Sequence, residues 1–514
     1  MLPAANFEAL RRDLAALVSD GRASTDTADR VAYARDLWPR HVIGVRAGVA
    51  APSPPGCVVW PASTSEVARV VRFAYEREIP VVPYGAGSGV CGGISPSSAS
   101  IVLDVKRMRA LTRVDHPTLE IDAEAGIIGQ HLEDALATRG LTLGHFPSSI
   151  YCSTLGGWIA GRSAGQCSGR YGKIEDMVLG LECVDGTGET RVATRYGNNA
   201  PLVPLVIGSE GILAVVTRAT MRVAPAPATR VFSSALFGEM SAGLDAIRRI
   251  YQAGLRPAVA RLYDPFDSMI ARRGRVKKER AHGPAAARAP GISTRLLRAA
   301  LERPGALNEL VHALPERVFG GSLMVLVWED DPAIAEAERD EAAAIVSACG
   351  GRDAGEGPAR RWLANRHSVS YRQSPAFALG GFVDTMEVAS PWSRLLPMFE
   401  TVRAAFAKHV FVMAHFSHAY PDGASIYFTI AGAAANDAAA ATRYDAAWHD
   451  AMAAVHDAGG TLSHHHGVGR SKAPAMTREH GAALEVVRAL KRVLDPRGIL
   501  NPGALLPPEA SSHG

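Results

Sequence analysis

The chain has 514 residues, of which 47% are hydrophobic and 21% charged, and its formal net charge is +4. That length suggests roughly two or three domains with room for a large buried core. The small charge, with Lys and Arg spread along most of the chain, argues against a nucleic-acid partner.

The first expected element is a helix, because Phe7, Leu10, Leu14 and Leu17 recur at helical spacing around Arg11, Arg12 and Asp13. It lacks the long apolar stretch and small-residue cleavage site of a secretory signal. No uninterrupted apolar run reaches the ~18 residues that a membrane span needs. The ending Ser511-Ser512-His513-Gly514 is not a peroxisomal signal. A cytoplasmic location is expected, and a lipid substrate would still bring the protein to a membrane surface as a peripheral contact. Cys57, Cys91, Cys152, Cys167, Cys183 and Cys349 contain no C-x-x-C pair. Free thiols are therefore expected, with neither a zinc ribbon nor a redox dithiol.

Residues 55–225 alternate short β-like runs with amphipathic helices. Val58-Val59-Trp60 reads as a strand stopped by Pro61, and Ser63-Thr64-Ser65-Glu66 as the cap of a helix over 67–76. Strands are expected at 79–83, 101–105 and 119–123, the last with half-buried alternation. Residues 203–207 and 214–223 add β character. Pro225-Ala226-Pro227 marks the expected boundary to a second region, with a buried strand at 323–328 and an amphipathic helix at 333–348. A basic run lies at 272–280 (Arg272, Arg273, Arg275, Lys277, Lys278, Arg280). It reads as a solvated loop, or as a lid or membrane-facing patch near an anionic substrate. From about residue 460 a polar histidine loop leads into a long helix ending near Leu494, where Asp495-Pro496-Arg497-Gly498 stops it. The fold class expected from this mixture is α+β.

Four glycine-rich segments stand out. They are 83–89, 144–149 running into 153–158, 161–165 followed by 169–172, and 208–213. Glycine lets the backbone approach a pyrophosphate closely, and successive amides form an anion-binding nest. A single G-x-G-x-G loop is more often a plain turn, but four in order suit a dinucleotide. The first is not the G-x-G-x-x-G of a Rossmann turn.

The set P-x-G-x-G-S (83–88), S-T-L-G-G-W (153–158), Y-G-x-I-E-D-M-V (171–178) and G-S-E-G-I-L (208–213) resembles the FAD domain of the vanillyl-alcohol oxidase and p-cresol methylhydroxylase superfamily. Residues 124–130 also fit. Ser463-His464-His465-His466-Gly467-Val468-Gly469 is the most specific piece. Over about 50–507 the chain most resembles the alkyldihydroxyacetonephosphate synthases within that superfamily. The resemblance implies a two-subdomain FAD-binding domain, an α+β cap domain with an antiparallel sheet flanked by helices, and a C-terminal helical segment. The expected divisions are 1–50 for the N-terminal helical segment, 51–225 for the FAD domain, 226–460 for the cap, and 461–514 for a segment returning to the FAD site. The implied FAD contacts are Pro83, Tyr84, Gly85, Ala86, Gly87, Ser88 and Gly89, then Pro147, Ser148, Ser149, Ser153, Thr154 and Gly157. They continue with Gly161, Arg162, Ser163, Ala164, Glu210, Gly211, Ile212 and Val216. Some oxidases of this kind attach FAD through a first-loop histidine. Residues 83–93 contain none, so a non-covalent flavin is implied. A homodimer is the expected assembly.

His464, His465 and His466 cannot all face one way; in an extended segment the middle one points opposite to its neighbours. On spacing alone they read equally as a polar loop. The resemblance puts them in an active site. Tyr427, in an alternating strand pattern, reads first as a core tyrosine, but the resemblance makes it the acid/base. Arg372 and Arg261 read individually as surface arginines; the resemblance makes Arg372 a substrate-contacting arginine and Arg261 a second active-site arginine. Guanidinium stays protonated, so both are cast as anion clamps. His415 and His418 precede Tyr427 in a stretch whose length departs from the synthase pattern, and Ser148 stands where synthases carry an aspartate.

Two activities follow. One is the synthase-like exchange of the acyl chain of acyl-dihydroxyacetonephosphate for a fatty alcohol, in ether lipid synthesis. The other is FAD-linked oxidation of a 2-hydroxy acid or related alcohol. A non-catalytic flavin-binding protein is the remaining reading. Metal-using oxidoreductases of the second kind carry G-E-H-G-x-G and H-x-G-D-G-N-x-H. Here His465 replaces the glutamate and Tyr427 the last histidine, so no metal is expected.

Overall fold

The computed structural model describes residues 4–48, 53–273, 292–314, 316–368 and 374–507. Arg372, most of the basic run (274–280) and the last seven residues lie outside the described residues. The chain divides into two compact units. The first comprises Met1–Gly165, Gly172–Ala226 and His465–Gly514, and the second Gln166–Tyr171 and Pro227–His464.

The first unit contains β1 (Ala23–Ser24), β2 (Cys57–Val59), β3 (Val81–Tyr84), β4 (Ile101–Asp104), β5 (Leu111–Asp115) and β6 (Glu120–Glu124). It continues with β7 (Leu141–Thr142), β8 (Val178–Asp185), β9 (Thr190–Thr194), β10 (Ala214–Arg222) and β11 (Ala224–Pro225). These form a four-stranded sheet in the order β1-β2-β4-β3, a five-stranded sheet β5-β6-β10-β8-β9, and a pair β11-β7. The parallel neighbours β2, β4 and β3 need crossovers. The helix Thr64–Glu76 supplies one, and Ser63 caps it by accepting the Glu66 N–H on its hydroxyl. Val67, Val70, Val71 and Ala74 recur on its buried face and join Ile101, Leu103 and Val81 in one core. The chain end returns to this sheet: Val81 N–H donates to the Ile499 carbonyl and Asn501 N–H to that of Val81.

The second unit is built on β12 (Thr229–Phe237), β13 (Val259–Tyr263), β14 (Ser322–Asp330), β15 (Arg352–Asp353), β16 (Gly381–Pro391), β17 (Phe411–Ala419) and β18 (Gly423–Ala433). They make one antiparallel sheet ordered β15-β12-β14-β13-β17-β18-β16. Successive side chains alternate faces. Phe416, Ile426 and Phe428 lie on the face covered by the helix Trp392–Ala407, whose Phe399 ring stacks 6.0 Å from Phe428. All eleven β18 residues pair with β16 in unbroken register, which fixes the opposite face as well.

One expected strand is a helix: residues 203–207 fall largely within Leu202–Val206. The short apolar run contains Pro204, which cannot donate to a strand ladder and suits a helix's first turn. The histidine triplet is not extended either; it runs through a series of bends. The His465 and His466 rings meet edge to face at 4.6 Å, not on opposite sides. All six cysteines are thiols outside any disulfide. Among the described residues, no helix is long and apolar enough to cross a membrane.

Candidate active site

In the first unit the glycine segments close into a ring. A Cβ added to Gly85 would lie 2.4 Å from the Thr154 hydroxyl, so the first and second segments meet through glycine alone. Thr154 caps the helix Leu155–Ala160 by accepting from the Gly157 amide. That helix ends at Gly161, and its Ile159 and Ala160 carbonyls accept from the Gly208 and Glu210 amides. Gly211, with φ +76°, then comes back against Pro83, whose Cγ a Cβ there would reach at 3.0 Å.

The donors inside this ring suit an anion. Among the described residues, the amides of Ala86, Gly87, Ser88 and Gly89 donate to no other group, and neither do those of Ala164 and Gly211. Unpaired amides on a glycine loop are what a pyrophosphate would use. Lys106 holds the loop from behind: its ammonium donates to the Gly85 carbonyl (2.8 Å) and to Asp104 (2.6 Å), over the Tyr84 ring. Asp36 is buried and takes the amides of Gly92, Gly93 and Ile94, and this burial pushes its carboxyl up to about 7.

The remaining residues of the set lie in the same unit. Pro147, Ser148 and Ser149 form the turn into Ile150–Cys152. Ser153 spends its hydroxyl on Ser149 and Trp158. Arg162 directs its guanidinium to Glu175 at 3.2 Å. Ser163 pairs with Nε2 of the fully buried His145 at 2.8 Å. Ala164, Ile212 and Val216 are buried. Glu210 accepts the amides of Val468 (2.5 Å) and Gly469 (2.8 Å), which fixes the turn after His465 and His466 within the same unit.

In the second unit one row of the sheet collects the chemistry. Tyr263 pairs with His415, His415 with Tyr427, and Tyr427 with Glu387, across β13, β17, β18 and β16. Directly paired residues share a face, and Arg261, two before Tyr263, shares it too. His415 stacks on Tyr427 with centroids 4.8 Å apart and planes 18° from parallel. The Arg261 guanidinium donates to Nε2 of His415 and lies over the Tyr263 ring at 5.2 Å. Its own Nε has no partner among the described residues. On the far side of the imidazole, Asp267 Oδ2 is 3.4 Å from Nδ1. Burial, reinforced by Arg261, holds His415 well below its usual range, so it is neutral. Burial pushes Tyr427 up to about 12, against the pull of a Thr385 hydrogen bond and Arg261.

Glu387 is fully buried and accepts from the Ser463 hydroxyl (3.1 Å) and the His464 amide (2.6 Å). His464 is flanked by His418 and Tyr420, each at 5.6 Å. His418 sits at the bulge between Ser417 and Ala419 with φ +49°.

The structure thus brings Arg261 and Tyr427 together, with His464 over the neighbouring Glu387. His465 and His466 belong to the other unit. Sequence reasoning gave no role to Asp267, Glu387, Lys106 or Asp36, and noted His415 only for the length of its stretch. Each also has a partner well removed in the chain, such as Gly85 for Lys106 and His464 for Glu387, and no spacing signal reports such pairs.

Residues 55–194 match the FAD binding domain family, and residues 226–505 match the FAD linked oxidases, C-terminal domain. The alkyldihydroxyacetonephosphate synthase of Dictyostelium discoideum is 28% identical, covering 98% of this chain and 82% of that one. The glycolate oxidase subunit GlcD of Bacillus subtilis is 27% identical, covering 94% and 93%. Among solved structures, an alkyldihydroxyacetonephosphate synthase superposes with TM-score 0.75 at 26% identity, covering 98% of this chain and 86% of that one. p-Cresol methylhydroxylase shares the fold, with TM-score 0.70 at 15% identity and 98% of both chains covered. The C-terminal match alone spans over half of the chain, and with the FAD-binding match it makes this protein a member of the FAD-linked oxidases, with FAD as its cofactor.

Proposed function

We propose that the protein is an alkyldihydroxyacetonephosphate synthase-like transferase, which exchanges the acyl chain of acyl-dihydroxyacetonephosphate for a fatty alcohol without net redox change. The observation that carries this reading is the phenol of Tyr427, stacked on a neutral His415 whose Nε2 meets the Arg261 guanidinium. Such a group moves a proton beside an anion-binding cation, which acyl-for-alkyl exchange on a phosphorylated substrate needs. Relatives named as synthases match nearly the whole chain and support the same reading.

Bound FAD supplies an electrophilic ring for the substrate carbon. The glycine ring of the first unit would hold it non-covalently through the free amides of residues 86–89. The protein's own residues do the rest. Tyr427 begins protonated at neutral pH, because its pKa lies near 12. It therefore gives its proton to the departing carboxylate and recovers one from the incoming alcohol. Arg261 holds an anionic group of the substrate, and Arg372 is assigned the same duty. His464, His465 and His466 are assigned to proton movement.

The second reading is oxidation of a 2-hydroxy acid, supported by the match to a glycolate oxidase subunit. Anaerobic incubation of the flavoprotein with acyl-dihydroxyacetonephosphate and hexadecanol separates the two. The expected outcome is the alkyl ether by mass spectrometry, with no added oxidant. No ether, together with bleaching of the flavin by a 2-hydroxy acid, would put the oxidoreductase in its place.

A further inference from the structure

We infer that Asp267 is a positioning residue that locks the tautomer of His415 and thereby places Arg261 beside Tyr427. The inference rests on the reading of this face as the proton-moving, anion-binding one.

The logic begins with Arg261. A guanidinium has donors and no acceptor. Its contact with His415 Nε2 is therefore an N–H of the arginine pointing at a ring lone pair. A neutral imidazole with a bare Nε2 carries its proton on Nδ1. In this buried ring Nδ1 has no hydrogen-bond partner of normal geometry, and the carboxylate paired to it is Asp267, at 3.4 Å. The Asp267 carboxylate, 3.4 Å away, favours a proton on Nδ1 by its charge and so favours the Nδ1–H tautomer.

Asp267 is in turn held. It lies in the first turn of the helix Pro265–Arg273, and its amide donates to Asp264 at 2.7 Å. Asp264 also accepts the Ala414 amide at 2.6 Å, next to His415 in β17. The acid pair thus fixes the distance between the helix and the strand that carries the imidazole.

The consequence reaches Tyr427. With Nε2 bare, Arg261 stays docked, and its charge favours the phenolate on the ring stacked against His415. With the proton on Nε2, two donors would face each other and the guanidinium would leave. The order Asp267, His415, Arg261, Tyr427 uses three strands and one helix, so no local sequence pattern encodes it.

Two measurements test this. Nitrogen-15 NMR of histidine-labelled holoenzyme reads the tautomer directly, with His415 assigned by its loss in His415→Gln. Wild type should show Nδ1–H, and Asp267→Ala should shift the population to Nε2–H. A His415 that stays Nδ1–H in Asp267→Ala overturns the inference. The second is a double-mutant cycle on the exchange rate. Asp267→Ala should slow turnover ~10-fold or more and raise KM for the phosphorylated substrate. In His415→Gln, whose side-chain oxygen can accept from Arg261 unaided, adding Asp267→Ala should cost nothing further. An equal cost in both backgrounds would show that Asp267 acts elsewhere. The NMR arm reads the tautomer whether or not ether forms, so failure of the exchange reaction and failure of the lock give different results.

Discussion

Tyr427 takes its chemistry from its neighbours. A phenol pushed from 10 to about 12 disfavours its anion by roughly 3 kcal/mol, at about 1.4 kcal/mol per pKa unit. Arg261 and the Thr385 hydroxyl offset the larger effect of burial only in part. The resting group is therefore an acid, and its removal should cost the whole proton-transfer step. Tyr427→Phe is expected to lower exchange by about 10²–10⁴-fold, the usual worth of a positioned acid/base. FAD content should be unchanged, because the free amides that suit the flavin lie in the first unit. The measurement is ether formation per bound flavin. Residual exchange within a few-fold of wild type would remove Tyr427 from the proposed mechanism.

At the scale of elements, the first glycine loop works because a side chain is missing where it meets Thr154. Gly85→Ala would drive a methyl to 2.4 Å from a hydroxyl that already caps a helix. Either the cap yields, at about 1 kcal/mol of stability, or the loop moves and its free amides lose their aim. The expected result is FAD affinity weakened by about tenfold, equivalent to roughly 1.4 kcal/mol, read by flavin fluorescence during titration of apoprotein. Gly305→Ala is the control, since nothing lies within 4 Å of the added carbon. These loops were legible in the sequence because glycine spacing is local and its physical reason is local. So was β18, where strict alternation between 425 and 429 separates Tyr427 from the core residues Ile426 and Phe428. Residues 203–207 misled because a five-residue apolar run fits a buried strand and a short helix equally. The cluster around His415 was not legible at all. Its arginine is 154 positions away in the chain, and only the β13–β17 pairing brings them together.

Across the whole molecule, buried neutral histidines set how the fold responds to acid. His145 has no exposed surface, and burial lowers its pKa to about 3, while Nε2 stays paired with Ser163. In the unfolded chain the same ring titrates near 6.5. Between about 3 and 6.5 the unfolded state therefore binds a proton that the folded state does not. Stability from this group is complete above 6.5 and falls as pH drops through that window, at about 1.4 kcal/mol per pH unit. Burial works the other way on Asp36, which is raised to about 7; its folded form takes up protons first and gains stability on acidification. The two trends oppose each other in a single pH–stability curve, so the curve of the wild type alone assigns neither. A variant isolates one of them. His145→Gln keeps an amide N–H where Nε2 meets Ser163 and cannot titrate. Between pH 7.5 and pH 5 its loss of unfolding free energy in urea should be smaller than that of wild type by about 2 kcal/mol. Equal losses would mean that His145 is solvated or charged in the folded protein. In that case Ser163 would face a cation rather than a neutral ring.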